Sequence, residues 1–161
     1  MSGLNLAMVG NCNIAALIDS RARVSWLCLP RFDGDPVFCS LLNDGAADGA
    51  GGKGFYDVEL FGFAWSEQSY RRNSAILVTT LCDESGGAIE IIDFAPRFKQ
   101  FGRVFRPMML VRQIRPVAGK PRIRIRLRPT YTHGAQRPET TRGSNHIRYV
   151  MPDNTLRLTT N

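Results

Sequence analysis

Residues 74–94 read Ser74-Ala75-Ile76-Leu77-Val78-Thr79-Thr80-Leu81-Cys82-Asp83-Glu84-Ser85-Gly86-Gly87-Ala88-Ile89-Glu90-Ile91-Ile92-Asp93-Phe94. Two runs rich in β-branched residues, Ser74 to Cys82 and Ala88 to Phe94, flank the turn-forming cluster Asp83-Glu84-Ser85-Gly86-Gly87, which predicts a β-hairpin. The same grammar extends toward both termini. Upstream, short β-type runs occupy Leu4 to Val9, Asn13 to Asp19 and Arg23 to Leu29, the last two joined by Ser20-Arg21-Ala22, followed by Gly54 to Phe61 and Ser66 to Arg71. Downstream, two further hairpins are predicted. One joins Met108 to Arg115 with Arg122 to Arg128 around Pro116-Val117-Ala118-Gly119-Lys120-Pro121, the other Asn145 to Met151 with Thr155 to Thr160 around Pro152-Asp153-Asn154.

Sustained helical periodicity is nearly absent, so the fold class is all-β, with hairpins packed face to face as an antiparallel β-sandwich. One segment departs from this pattern. In Asp35-Pro36-Val37-Phe38-Cys39-Ser40-Leu41-Leu42-Asn43, Asp35 can cap, Pro36 suits a first helical position, and the apolar residues fall at helical spacing, so a two-turn helix is expected. After it, Gly45 to Gly54 holds five glycines without a GxGxxG or Walker pattern and is expected to be a mobile loop rather than a phosphate cradle.

The 161 residues suit one domain, able to bury roughly 68–70% of its unfolded surface without metals or disulfides as staples. With 43% hydrophobic and 22% charged residues, disorder and collagen-like repeats are excluded. The net charge of +7 is unevenly placed: Arg97 to Arg128 contains eleven basic residues and no acidic one, leaving 10 basic and 14 acidic residues elsewhere. Cys12, Cys28, Cys39 and Cys82 never form CxxC, and His133 and His146 lie far from them in sequence, so no metal set and no cofactor is expected and free thiols are. The N-terminal stretch has no basic leader, and Asn11 and Asn13 interrupt its apolar run. It reads as neither signal peptide nor membrane span, and a cytoplasmic location is the expectation. At the other end Leu156-Arg157-Leu158-Thr159 alternates like a strand up to Thr160-Asn161, which suggests the truncated front of a longer polypeptide.

Two constellations carry chemistry. In Arg122-Ile123-Arg124-Ile125-Arg126-Leu127-Arg128 the period of two puts Arg122, Arg124, Arg126 and Arg128 on one face and the aliphatic residues on the other. The arginine face is solvated or paired with carboxylates of neighbouring strands, Glu90 and Asp93 being candidates. Otherwise it binds a polyanion or docks on an acidic surface of another domain. Nucleic acid is a poor partner, because the interleaved residues are aliphatic and offer no stacking platform. The second constellation is the strand containing Trp26 that runs into Pro30-Arg31-Phe32-Asp33-Gly34-Asp35. An aromatic ring there can stack on a sugar, and Arg31 and Asp33 can hydrogen-bond hydroxyls. Alternatively Arg31 and Asp33 pair with each other, Phe32 packs and Asp35 caps the helix. No nucleophilic or paired-carboxylate set stands out, and His133 and His146 read as loop residues.

The runs Val9-Gly10-Asn11-Cys12-Asn13, Ala15 to Asp19, Arg23 to Asp33 and Asp35-Pro36-Val37-Phe38 resemble the opening of bacterial glucoamylase/trehalase-type enzymes of glycoside hydrolase family 15, which begin with a trehalase-like N-terminal domain. The resemblance continues at Ile89 to Pro96, Leu110 to Ile114 and Arg122 to Pro129. Gly34-Asp35 departs from the Asp/Ser-Ser that family usually shows before the proline. The resemblance implies a β-sandwich of supersandwich type followed by an (α/α)6 barrel, whose two glutamates hydrolyse α-glucosidic bonds with inversion and have no counterpart here. On that basis the chain is expected to be a non-catalytic domain. Its partners would be the downstream barrel and, through the parent enzyme, trehalose or a glucan, with Trp26, Pro30, Arg31, Phe32 and Asp33 at the barrel or its substrate pocket. A free-standing carbohydrate-binding or protein-interaction module is the alternative.

Overall fold

The computed structural model describes residues 5–42 and 52–160, which form fifteen strands and one 3-10 turn. In chain order the strands are β1 Leu6–Gly10, β2 Ala15–Asp19, β3 Val24–Cys28, β4 Pro36–Cys39, β5 Phe55–Leu60, β6 Phe63–Tyr70, β7 Leu77–Asp83 and β8 Ala88–Phe94. They continue with β9 Phe98–Gln100, β10 Arg103–Phe105, β11 Val111–Ala118, β12 Ile123–Arg128, β13 Glu139–Arg142, β14 His146–Val150 and β15 Thr155–Thr159. One sheet runs β1-β2-β3-β5-β12, with β4 also on β3; a second runs β11-β8-β7-β6. All pairings are antiparallel among these strands.

Alternation decides which side chains turn inward. Ala16 and Ile18 of β2 and Leu77, Thr79 and Leu81 of β7 are buried, while the residues between them are only half-buried. Two apolar clusters join the sheets: Ile18, Val24, Leu27 and Phe38 meet Leu77, and Val58 and Leu60 meet Leu81, Ile89 and Ile91. Each such side chain contributes about 1.5–3 kcal/mol by leaving water. The sandwich expected from the sequence is thus the observed architecture. A three-stranded sheet, β13-β14-β15, closes one end of the first cluster through Met151.

The hairpin of residues 74–94 forms as β7 and β8, with Leu77 opposite Asp93 and Cys82 opposite Ala88. Its turn is organised by Asp83, whose Oδ1 accepts hydrogen bonds from Ser85 N (2.8 Å), Ser85 Oγ (2.7 Å) and Gly87 N (2.7 Å). The predicted Asn145–Thr160 hairpin also forms, as β14 and β15.

Three local expectations are corrected. The predicted helix over Asp35–Asn43 is instead β4 followed by a 3-10 turn at Ser40–Leu42. All four residues of β4 are buried, so both of its faces are apolar and no alternation betrays the strand. Residues 108–128 are not a hairpin: β11 pairs with β8 and β12 with β5, so residues 119–122 carry the chain from one sheet to the other, and Pro116 lies within β11 opposite Ile89. Glu90 and Asp93 therefore do not meet the arginines of β12; they face Arg115 and Arg112 of β11. The glycine-rich loop lies outside the described residues except at its end. There Gly54, at φ +74°, donates to Arg128 O (2.7 Å) and accepts from Cys39 N and Ser40 N (2.9 Å each). A Cβ on Gly54 would stand 2.9 Å from Cys39 Sγ, so glycine is required where β4, β5 and β12 converge.

Candidate functional site

β3 is buried at four of its five positions and delivers a rigid strand end into the loop that follows. Leu29-Pro30 is a cis peptide, and Gly34 N donates to Arg31 O (3.1 Å) to close the turn. Arg31 pairs bidentately with Asp33, Nε to Oδ1 at 2.9 Å and Nη2 to Oδ2 at 3.0 Å. Hydrogen bonding to Arg31 holds the Asp33 carboxyl below the usual carboxylate range. Phe32 between them is 54% exposed. Trp26 lies apart from this tip, half-buried in β3 between Leu17 and Cys39. Asp35 caps no helix: its carboxylate accepts from the backbone amides of Thr132 and His133, both in the left-handed region at φ 55° and 51°. This tie fixes the loop to residues 132–133, and it brings the His133 ring, exposed, within 3.3 Å of Asp35.

The loop borders a cleft of about 420 Å³. Leu29 and Pro30 form one side, Met108, Met109 and Leu110 another, and Tyr56 and Leu156 also contribute to its walls. Among the described residues the lining contains no carboxylate and no histidine, so the cleft offers shape and apolar surface rather than proton transfer. No cluster of His, Cys, Asp or Glu able to hold a metal occurs among the described residues. Burial pushes the Tyr56 phenol up, and its ring covers the guanidinium of Arg112, 4.5 Å from the ring centre. Arg112 in turn grips Asp93 through Nε (2.7 Å) and Nη2 (2.9 Å), both side chains being almost wholly buried.

Two of the four arginines of the face, Arg124 and Arg126, are paired with carboxylates within the domain. Arg124 donates to Glu59 Oε2 from Nε (2.9 Å) and Nη2 (2.7 Å), and Arg126 Nη2 reaches Asp57 at 2.6 Å and Glu59 at 3.3 Å. Asp57 also meets Arg23 at 3.5 Å. Arg122 lies over the Phe61 ring at 5.4 Å, and Arg128 is exposed at the end of β12. Of these groups Arg23, Asp57, Glu59 and Arg126 border a polar hollow of about 380 Å³, together with Asp19, whose carboxyl burial pushes up. The aliphatic face is also open, Ile123 being 37% and Ile125 48% exposed, and β12 is the edge of its sheet. All four cysteines are free thiols; burial raises that of Cys28.

Sequence reasoning missed the feature beside the cleft. β9 and β10 form a separate two-stranded hairpin whose foot is clamped by the β1–β2 turn. Asn11, 2% exposed, donates from Nδ2 to Pro96 O (2.9 Å) and Pro107 O (2.8 Å), while its Oδ1 accepts from Asn13 N and Ile14 N. Asn13 Nδ2 donates to Arg106 O at 2.6 Å. The available signal was Phe101-Gly102 between the short runs Phe98-Lys99-Gln100 and Arg103-Val104-Phe105.

Comparison with known proteins adds three findings. A family model described as trehalase-like, N-terminal, matches residues 4–150. The chain is 26% identical over 151 residues to Trehalase 1 of Sulfolobus acidocaldarius, covering 91% of this chain and 23% of that protein. It is 26% identical over 132 residues to Trehalase of Thermoplasma volcanium, covering 81% and 20% respectively. The chain thus spans less than a quarter of the length of either curated relative. No solved structure matches it.

Proposed function

The chain belongs to the family of trehalase-like N-terminal domains, and we propose that it serves as the non-catalytic front domain of a hydrolase of trehalose or a related α-glucan. The observation that carries this reading is the Pro30–Asp33 loop. A rigid strand end presents an exposed Phe32 between two mutually paired charges, at the rim of a cleft whose lining, among the described residues, holds no carboxylate and no histidine. Asp33, engaged with Arg31 and held ionised, suits positioning of a hydroxyl and not proton donation. The resemblance to glucoamylase/trehalase-type enzymes puts the catalytic carboxylates in a downstream (α/α)6 barrel acting with inversion, and in this reading the Pro30–Asp33 loop faces that barrel. Four free thiols support a cytoplasmic location.

Assay of the 161-residue chain and of the longer polypeptide on trehalose and maltooligosaccharides tests the assignment. Turnover is expected from the longer protein alone; turnover by this chain would overturn it. In the longer protein Phe32→Ala or Asp33→Ala is expected to lower kcat/KM about tenfold, the worth of one lost contact of about 1.4 kcal/mol. A carbohydrate-binding module is disfavoured by the apolar cleft wall, and calorimetry of this chain with maltooligosaccharides is expected to show no heat.

A further inference from the structure

Phe101 and Gly102 are the two central residues of the β9–β10 turn, at φ 49° and 70°. Positive φ at both positions is the signature of a type I′ turn, where asparagine followed by glycine is the favoured pair and a bulky aromatic is a conformational outlier. Phe101 is 89% exposed, so its side chain finds little apolar contact among the described residues to offset that strain. Below it Phe98 and Phe105 stack on each other, 5.8 Å between centres, and are 47% and 40% exposed. The hairpin is also strongly basic: Arg97, Lys99, Arg103 and Arg106 lie in ten residues without an acidic one. Among the described residues Lys99, Arg103 and Arg106 meet no carboxylate. The foot, by contrast, is held firmly by Asn11 and Asn13. A strained, exposed aromatic tip on an anchored cationic stem is built to be buried against something else.

We propose that the β9–β10 hairpin is a docking finger whose Phe101 inserts into an apolar socket rimmed by carboxylates on the downstream region of the same polypeptide. This rests on the reading of the chain as the front domain of a longer enzyme. Charge complementarity and length argue for that occupant. The stem needs an acidic partner, and in the matched relatives more than three quarters of the protein lies outside the stretch this chain covers. A second copy of this chain would set the same cations against each other. The finger also stands next to the cleft, because the chain leaving β10 runs through Pro107 into Met108 and Met109, 58% and 51% exposed on the cleft wall. Docking there brings the Pro30 side of the cleft toward the same partner.

Phe101→Asn separates docking from folding, since it supplies the residue the turn prefers. In the 161-residue chain this variant is expected to leave Tm unchanged or raise it. Hydrogen exchange over residues 97–106 then reads docking. In the longer protein the wild-type amides are expected to exchange at least tenfold more slowly than in the 161-residue chain, and Phe101→Asn or the pair Lys99→Glu with Arg103→Glu removes that difference. Equal exchange in the two wild-type proteins overturns the proposal. So does protection of the short chain that rises with its own concentration, or that appears only with phosphatidylglycerol vesicles. The same preparations are assayed on trehalose and maltooligosaccharides: turnover without protection overturns the finger alone, and protection without turnover overturns the enzymatic reading alone.

Discussion

Asp93 and Arg112 are charged side chains placed where water does not reach, and both lie in segments read from the sequence as strand. Their two parallel hydrogen bonds offset the desolvation of both ions only while both are present. Asp93→Ala is expected to cost about 3–5 kcal/mol, because it strands a buried guanidinium. Replacing the pair with Leu and Met together recovers most of that loss, and urea denaturation of the single and double variants checks it. A single-variant cost below about 1 kcal/mol would show the pair to be expendable. Asp93 itself was legible as a strand carboxylate that would pair with an arginine, but its burial and the identity of its partner were not. Choosing Arg112 over the arginines of β12 depends on which strand lies beside β8, and residue types do not encode that. Asp35 shows the same limit, since an acid before a proline fits a helix cap as well as the long-range tie to Thr132 and His133 that it makes.

Among elements, β7–β8 was readable because everything that defines it is local: two β-rich runs and an Asp–Gly turn in one window. The carboxylate of Asp83 is held below the usual range by its hydrogen bonds to Ser85 and to the backbone of Gly87. A depressed carboxyl pKa contributes stability above its unfolded value, near 3.9, and loses it as pH falls through the folded value. Asp83→Ala is therefore expected to lower Tm at pH 7, and the gap from wild type should close as the pH is brought below the carboxylate range. Thermal melts at several pH values check it; a gap independent of pH would mean that the carboxylate charge is irrelevant to the turn. β4 and β12 were harder for opposite reasons. β4 is apolar on both faces, so its residues fit a helix equally well, whereas β12 was recognised as a strand but assigned the wrong neighbour. Pro116 ends up inside β11, and Gly119-Lys120-Pro121 suit a turn whether they close a hairpin or cross between sheets.

For the molecule as a whole, the net charge of +7 changes meaning once the pairs are drawn. Of the eleven cations between Arg97 and Arg128, Arg112, Arg115, Arg124 and Arg126 meet carboxylates within the domain. What remains is concentrated at and around the β9–β10 hairpin. Binding to duplex DNA is accordingly expected to be weak. Its dependence on log salt should be no steeper than about −4, the limit for four phosphate contacts, in contrast to the steeper slope of a polyarginine face. Titrations at several salt concentrations measure that slope. The placement of β12 beside β5 also has a consequence for synthesis. Asp57 waits for Arg126, sixty-nine residues later, which at roughly 5–20 residues per second is a delay of about 3–14 s on the ribosome. During that interval Asp57 lacks Arg126 and one edge of β5 is an open template, so the nascent chain exposes to mispairing a strand edge that β12 covers in the finished domain.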